Sequence, residues 1–349
     1  MKLLILYIIP ILVLLINNTS TSSTISDESE KKLLTNYFEV NQNGRRVYEI
    51  DNDVVFNFIK PLTNDKSLTR DFINILKNPK VVVIDCININ NLSYFLKLLS
   101  SKKTVVALAI TNYKNDTLPK EIKNLNNLRS LEIYKSKISI FPIEITELEN
   151  LTQLKISNTN SILLPVEIIN FRKLENLEIY DCNIISIPKE ILNISSLNHI
   201  DLIECHRLDI KDLFINLSNK KNDFTLSISN TFIDTIPKEI GMLKNVTDLA
   251  LKENGINYLH ENIYRLSKLE KLRLDGNNIK EISPKIKNLS NLKRLNIFDN
   301  LITYLPYELC SIISLKEIEV GLNLINDNTL NNFIKDEECK IKIHNKKLE

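Results

Sequence analysis

The sequence predicts an α/β solenoid: a horseshoe with a parallel concave β-sheet and short helices or 3-10 turns on the convex side. Three observations predict it. Apolar residues recur with a period of 23, so that Leu128, Leu131 and Ile133 are followed by Leu151, Leu154 and Ile156, then by Leu174, Leu177 and Ile179. Behind each triplet comes a proline followed by glutamate and isoleucine, as in Pro142, Glu144, Ile145 and again in Pro165, Glu167, Ile168 and Pro188, Glu190, Ile191. Eight residues into each unit from Leu128 onward sits either an asparagine (Asn254, Asn277, Asn300, Asn323) or a smaller side chain (Ser136, Thr159, Cys182, Cys205, Thr231). A fixed period of this length means stacked copies of one supersecondary unit.

Each element of the unit has a physical reason. Leu131 and Ile133 alternate with Glu132 and Tyr134, which is the pattern of a strand with one face in the core. The side chain at the eighth offset can satisfy backbone groups that leave the sheet, and a column of such asparagines would form a ladder. Pro-x-Glu-Ile suits a turn into a short helix, with proline near the first helical position and glutamate in the first turn. No unit buries its apolar face alone, so stability comes from stacking.

Units start at Val105, Leu128, Leu151, Leu174, Leu197, Asp223, Val246, Leu269, Leu292 and Leu315, each 23 residues apart except the 26-residue step from Leu197 to Asp223. The extra residues, around Asn219 to Asn222, are expected to bulge on the convex side or a rim. Upstream, Val81, Ile84, Cys86, Ile89 and Leu92 read as a degenerate first unit. The array is thus placed at residues 81–326. Residues 24–80 form a linker and N-terminal flank, with strands at Val47–Ile50 and Val54–Ile59 and a helix at Leu68–Leu76, and residues 327–349 form a C-terminal cap and tail.

On these residues the chain resembles leucine-rich repeats of the 23-residue Ras-group-related type, which carry L-P-x-E-[IL] in their variable half. The resemblance implies the horseshoe fold. It also implies a binding role, since intracellular relatives of this type act as scaffolds in small-GTPase signalling and in defence or host–pathogen recognition. Fold alone does not select among such roles.

The ends carry a separate signal. Lys2 precedes an apolar run from Leu3 to Ile16, followed by a polar stretch to Ser23. This is the layout of a cleaved secretory signal over residues 1–23, and the run is short for a membrane span. The expected location is therefore secreted or within the secretory pathway. The alternatives are an uncleaved signal anchor, which is the only membrane association expected, or a cytoplasmic protein with a misassigned start.

Several chemistries are excluded or unsupported. With 45 basic against 43 acidic residues and a net charge of +2, binding of nucleic acid through phosphate neutralisation is not expected. Five glycines at positions 44, 241, 255, 276 and 321 make no phosphate loop. No cofactor, metal site or catalytic constellation is expected, and the protein reads as no enzyme. Cys182 and Cys205 share the eighth offset of neighbouring units and read as buried small side chains, a disulfide or metal pair being the alternative. Cys310 and Cys339 could staple the C-terminal flank in an oxidising compartment; an odd count of five leaves at least one thiol free. N-x-[ST] sequons occur at Asn17, Asn18, Asn91, Asn115, Asn150, Asn193, Asn216, Asn245 and Asn288.

The expected function is recognition of a protein partner on the concave face, at offsets two, four and six of each strand. The candidate contact residues are Glu132, Tyr134, Lys155, Glu178, Tyr180 and Asp201 in one half, acidic with tyrosines. In the other half they are Lys252, Lys271, Arg273, Arg294 and Phe298, basic with one phenylalanine. Tyrosine and arginine are frequent interface hot spots, and opposite charge at the two ends would orient a partner. An exported recognition module and an intracellular signalling scaffold are the two competing functions; the partner's identity and the oligomeric state are not written in the sequence.

Overall fold

The computed structural model describes residues 56–59, 80–86, 91–159, 163–326, 330 and 339–345. The expected signal segment, the strand at 47–50 and the helix at 68–76 lie outside the described residues. Thirteen described strands form one parallel sheet in strict chain order. They are β1 (Phe56–Ile59), β2 (Val81–Asp85), β3 (Ala107–Thr111), β4 (Ser130–Tyr134), β5 (Gln153–Thr159), β6 (Asn176–Cys182), β7 (His199–Ile203), β8 (Phe224–Ser229), β9 (Val246–Ala250), β10 (Lys271–Arg273), β11 (Arg294–Asn296), β12 (Glu317–Glu319) and β13 (Lys342–His344). Both flanking segments thus add a strand to the sheet, β1 before the array and β13 after it.

Register follows the repeat: Leu131 pairs with Leu154 and Leu154 with Leu177, and likewise Ile133 with Ile156 and Ile179. All six are fully buried. Burying one such side chain contributes on the order of 1.5–3 kcal/mol, and because each is covered by the units on either side, the gain belongs to the stack.

On the convex side, five-residue 3-10 turns run at Lys120–Asn124, Ile143–Glu147, Val166–Asn170, Lys189–Asn193, Lys238–Met242, Glu261–Arg265, Pro284–Asn288 and Tyr307–Ser311. The proline generally caps the turn, as Pro142 does, and only Pro284 stands inside the first positions. The Ile145 amide donates to the Pro142 carbonyl (3.0 Å), and Leu148 and Leu151 continue the chain of bonds back to the next strand. A second ladder runs beside these turns: the side-chain amides of Asn127, Asn150, Asn245 and Asn291 donate to carbonyls of the preceding unit at 2.6–2.8 Å. The sequons at Asn150 and Asn245 are therefore structural asparagines of this ladder.

The irregular units depart from the expected phasing. In the first, Val82 and Ile84 pair with Leu108 and Ile110 and fill the core, so the inward pair is Val82–Ile84 rather than Ile84–Cys86. Its convex side is an α-helix, α1 (Leu92–Leu99), with the Asn91 side chain accepting the Tyr94 amide at 3.0 Å. In the unit assigned to Asp223, Phe224 takes the buried starting position: it pairs with Val246 while Thr225 already pairs with Asp248. The 26-residue unit before it does not simply bulge. Its added length forms α2 (Ile210–Leu217), capped by Asp209, and buries Lys220 to 2% exposure against the Ile194 carbonyl, 3.5 Å from its ammonium.

Candidate functional site: the concave face and its rim

The concave face begins with how each strand ends. The seventh offset adopts positive φ in every unit from β3 to β12: Asn112, Lys135, Asn158, Asp181, Glu204, Asn230, Glu253, Gly276, Asp299 and Leu322. Short polar residues and glycine tolerate this conformation best, and they hold most of these places. The chain then drops the eighth residue into the core. Asn277 there accepts the amides of Asn254 (3.2 Å) and Ile256 (3.0 Å) and donates to the carbonyls of Leu251 (2.9 Å) and Leu274 (2.7 Å). Asn254, Asn300 and Asn323 bond in the same way. In the earlier units Ser136 accepts one amide and donates to one carbonyl, and Cys182 and Cys205 offer thiols to nearby carbonyls at 3.2–3.7 Å. Both thiols are free and buried, and burial pushes the Cys205 thiol up to about 12. They fill the slot as small side chains.

This frame sets out the predicted contact residues in rows. Glu132, Lys155, Glu178 and Asp201 are in register on β4 to β7, and Tyr134, Ser157, Tyr180 and Ile203 form the next row. Lys155 lies 3.5 Å from Glu132 and sits 5.0 Å from the Tyr180 ring centre, within cation–π range. Tyr134 is covered, only 6% exposed, with the Lys135 ammonium 5.2 Å from its ring centre. Gln153 donates to Glu178 at 2.9 Å, and the Tyr180 hydroxyl lies 3.0 Å from Glu178 and 3.2 Å from Asp201. A phenol has one proton, so it donates to only one of these carboxylates at a time. Burial, reinforced by the two carboxylates, holds the Tyr180 phenol far above its ordinary pKa. His199 Nε2 stands 3.1 Å from the other oxygen of Asp201.

The second half is organised differently, with its basic side chains drawn into ion pairs. Arg273 and Lys271 meet Asp248 at 2.8 and 3.5 Å, Lys252 meets Asp275 at 3.3 Å, and Arg294 meets Glu317 at 3.2 Å. Four basic side chains are thus paired with three carboxylates of neighbouring units, Arg273 and Lys271 sharing Asp248. Phe298 lies beyond β11 and is half-buried. Between the halves, β8 presents the small side chains Thr225, Ser227 and Ser229 toward the concave side, and β9 presents Asp248 and Ala250.

One feature escaped the sequence. Phe232 is 71% exposed, has φ of +62°, and stacks on His206 with ring centres 4.4 Å apart and planes 18° from parallel. The signal was available in the repeat: Phe232 and His206 share the ninth offset of adjoining units, and the next unit holds Gly255 there with φ of +81°. Among the described residues no group of three or more His, Cys, Asp or Glu could hold a metal ion, and no helix among them is long and apolar enough to cross a membrane.

A single parallel sheet in chain order, with an asparagine ladder beneath one end and capped 3-10 turns behind, defines the leucine-rich-repeat class of solenoid. Residues 87–221 match the family model described as a leucine-rich repeat region. No curated protein matches the sequence. Solved structures similar to the chain include a leucine-rich-repeat protein of Leptospira interrogans, at 21% identity over 77% of this chain and 90% of that one, TM-score 0.35. An internalin of Listeria monocytogenes aligns at 17% identity over 78% and 88%, TM-score 0.46. The ectodomain of the Arabidopsis receptor kinase HAESA, solved with a peptide hormone, aligns at 19% identity over 65% and 41%, TM-score 0.42.

Proposed function

We propose that the protein is a non-enzymatic, exported recognition module that binds a protein partner through the concave face of its solenoid. The observation that carries this reading is the uncovered face of β4–β11, where tyrosine, arginine and paired and unpaired carboxylates stand in register with no other element laid over them among the described residues. Residues of these types concentrate binding energy when a partner desolvates them. Replacing Tyr134, Tyr180 and Arg273 together by alanine tests the reading. Loss of partner binding by a folded triple variant is expected, and unchanged binding removes the concave face from consideration. Because Tyr134 is covered and Arg273 is held by Asp248, most of the loss is expected from Tyr180.

Export is supported by two features of different kind. The apolar run Leu3–Ile16 has the layout of a signal. The bond between Cys310 and Cys339 ties the last 3-10 turn to the segment leading into β13, and such bonds persist in oxidising compartments. The competing reading is an intracellular scaffold of the small-GTPase type, which draws on the Ras-group-related form of the Pro-x-Glu-Ile motif. The mature N-terminus discriminates the two, by mass spectrometry of protein made in a eukaryotic secretory host. A start near Ser20 to Thr24 with protein in the medium is expected; an intact Met1 with cytosolic protein contradicts export.

A further inference from the structure

The concave face does not offer the same thing along its length, and the difference points to a partner chemistry. The ion pairs among described residues consume Asp248, Asp275 and Glu317 in the second half. Glu178, Asp181 and Glu204 enter none of them, and Asp201 meets only His199. Glu178 and Asp201 are in register on adjacent strands, and Asp181 and Glu204 occupy the positive-φ positions at the ends of those strands. Asn158 donates to Asp181 at 2.7 Å and Asn230 to Glu204 at 3.2 Å, so neutral amides hold these carboxylates in place without cancelling their charge. Lys155 and Arg207 are the cations at the borders, two against four carboxylates.

Beyond the same strand ends lies the Phe232–His206 stack. An aromatic residue exposed over most of its surface and held in a left-handed backbone conformation is costly to the isolated protein. In water the stack presents a flat face to solvent. A guanidinium group matches such a face, since it is planar, weakly hydrated and stacks on aromatic rings while its N–H groups reach carboxylates. The side chains of β8 beside it, Ser227 and Ser229, are small.

We infer that the end of the concave face formed by β6–β8, with the Phe232–His206 platform on its rim, docks a cationic, arginine-bearing segment of a protein partner. The inference rests on the concave-face reading above and adds the partner's polarity and its seat. The platform takes the guanidinium plane; Glu178, Asp201 and Glu204 take its charge and that of neighbouring basic residues; the second half of the face, where four cations already occupy three carboxylates, contributes little.

The test is fluorescence anisotropy of the full chain with a labelled (Gly-Arg)6 peptide and its (Gly-Glu)6 counterpart. The arginine peptide is expected to bind at least tenfold more tightly. Phe232→Gly, which suits the left-handed backbone and so keeps the fold, and separately the Glu178→Gln/Asp201→Asn/Glu204→Gln triple, are each expected to weaken it at least tenfold. Glu144→Gln/Glu147→Gln on the convex side leaves it unchanged. Equal binding of the two peptides, or arginine-peptide binding indifferent to the Phe232 and carboxylate changes, overturns the inference. In that event Lys271→Ala/Arg273→Ala separates the two levels. If it abolishes (Gly-Glu)6 binding, the polarity is reversed and the concave-face reading stands; if no concave substitution matters to either peptide, both fall.

Discussion

The two halves of this solenoid are built on one template and solve its two recurrent problems in opposite ways. Beneath the sheet, the units from Val246 onward fill the eighth offset with asparagine, which bonds both to its own turn and to the unit before. The units from Leu128 to Phe224 fill it with serine, threonine or cysteine, which reach fewer backbone groups. On the concave surface the later half pairs its arginines and lysines with its own carboxylates, whereas Glu178 on β6 enters no ion pair among the described residues and Asp201 on β7 meets only His199 in one. The half with the stronger internal ladder is also the one that pairs its concave arginines and lysines internally. The teaching is that binding capacity and structural self-sufficiency are distributed along a repeat array unit by unit, because each unit contacts only its neighbours.

The largest effect that would break or sharpen this contrast is Asn277→Ala. It removes the partner of the Asn254 and Ile256 amides and of the Leu251 carbonyl, while the Leu274 carbonyl keeps its bond from Asn300, and at about 1–3 kcal/mol for each buried group left unmade, partly relieved by relaxation, a loss of about 4 kcal/mol is expected. Ser136→Ala is expected to cost about 1 kcal/mol. Urea unfolding followed by circular dichroism measures both; a serine change as costly as the asparagine change would erase the distinction between the ladders.

Next in size is the end cap. Cys310 and Cys339 close a loop of 29 residues that delivers β13 to the edge of β12. Cys339→Ser is expected to lower stability by about 3 kcal/mol, chiefly through the unfolded chain. Hydrogen exchange should show faster exchange in β12 and in the Tyr307–Ser311 turn, with β4–β6 unaffected. Acceleration spread evenly over all strands would mean that the array does not behave unit by unit.

A smaller effect, opposite in sign, belongs to the seam between the halves. Lys220 is buried with one long hydrogen bond, and burial holds its ammonium below the ordinary lysine pKa. The unfolded chain therefore binds this proton more tightly than the folded one. Stability contributed by the neutral form is absent at pH below the folded value and grows as pH rises through it toward the unfolded value. Lys220→Met is expected to stabilise the protein by about 1–2 kcal/mol near neutral pH and to flatten this alkaline rise. A Lys220→Met variant that is destabilised, or that keeps the same pH slope, would show that the amine is needed where it lies.

Much of the fold was legible because the repeat writes the same physics ten times. The inward pairs such as Leu131 and Ile133, the eighth-offset ladder and the Pro-x-Glu-Ile turns each follow from side-chain type and spacing. What escaped was set by contacts across units. Phasing on Asp223 failed because Phe224 is the larger apolar group and the register shifts by one to bury it. Lys211, at the offset that holds proline in the three preceding units, gives no hint of how the long unit is filled, and α2 with the buried Lys220 is a tertiary solution. The concave side of each candidate residue was readable from alternation, but whether Arg273 is free or held by Asp248 depends on the rotamer and on the strand beside it. Phe232 was hidden for a further reason: an exposed aromatic in a left-handed turn runs against residue preference, and only its shared offset with His206 and Gly255 marks it.

The contrast between the halves is tested most directly by hydroxyl-radical footprinting of the full chain with and without (Gly-Arg)6, read by mass spectrometry. Protection of Phe232, His206 and Tyr180 is predicted, with Phe298, Tyr258 and Tyr304 oxidised as fast as in the free protein. Protection centred on Phe298 and its neighbours, or none at Phe232, would contradict the account.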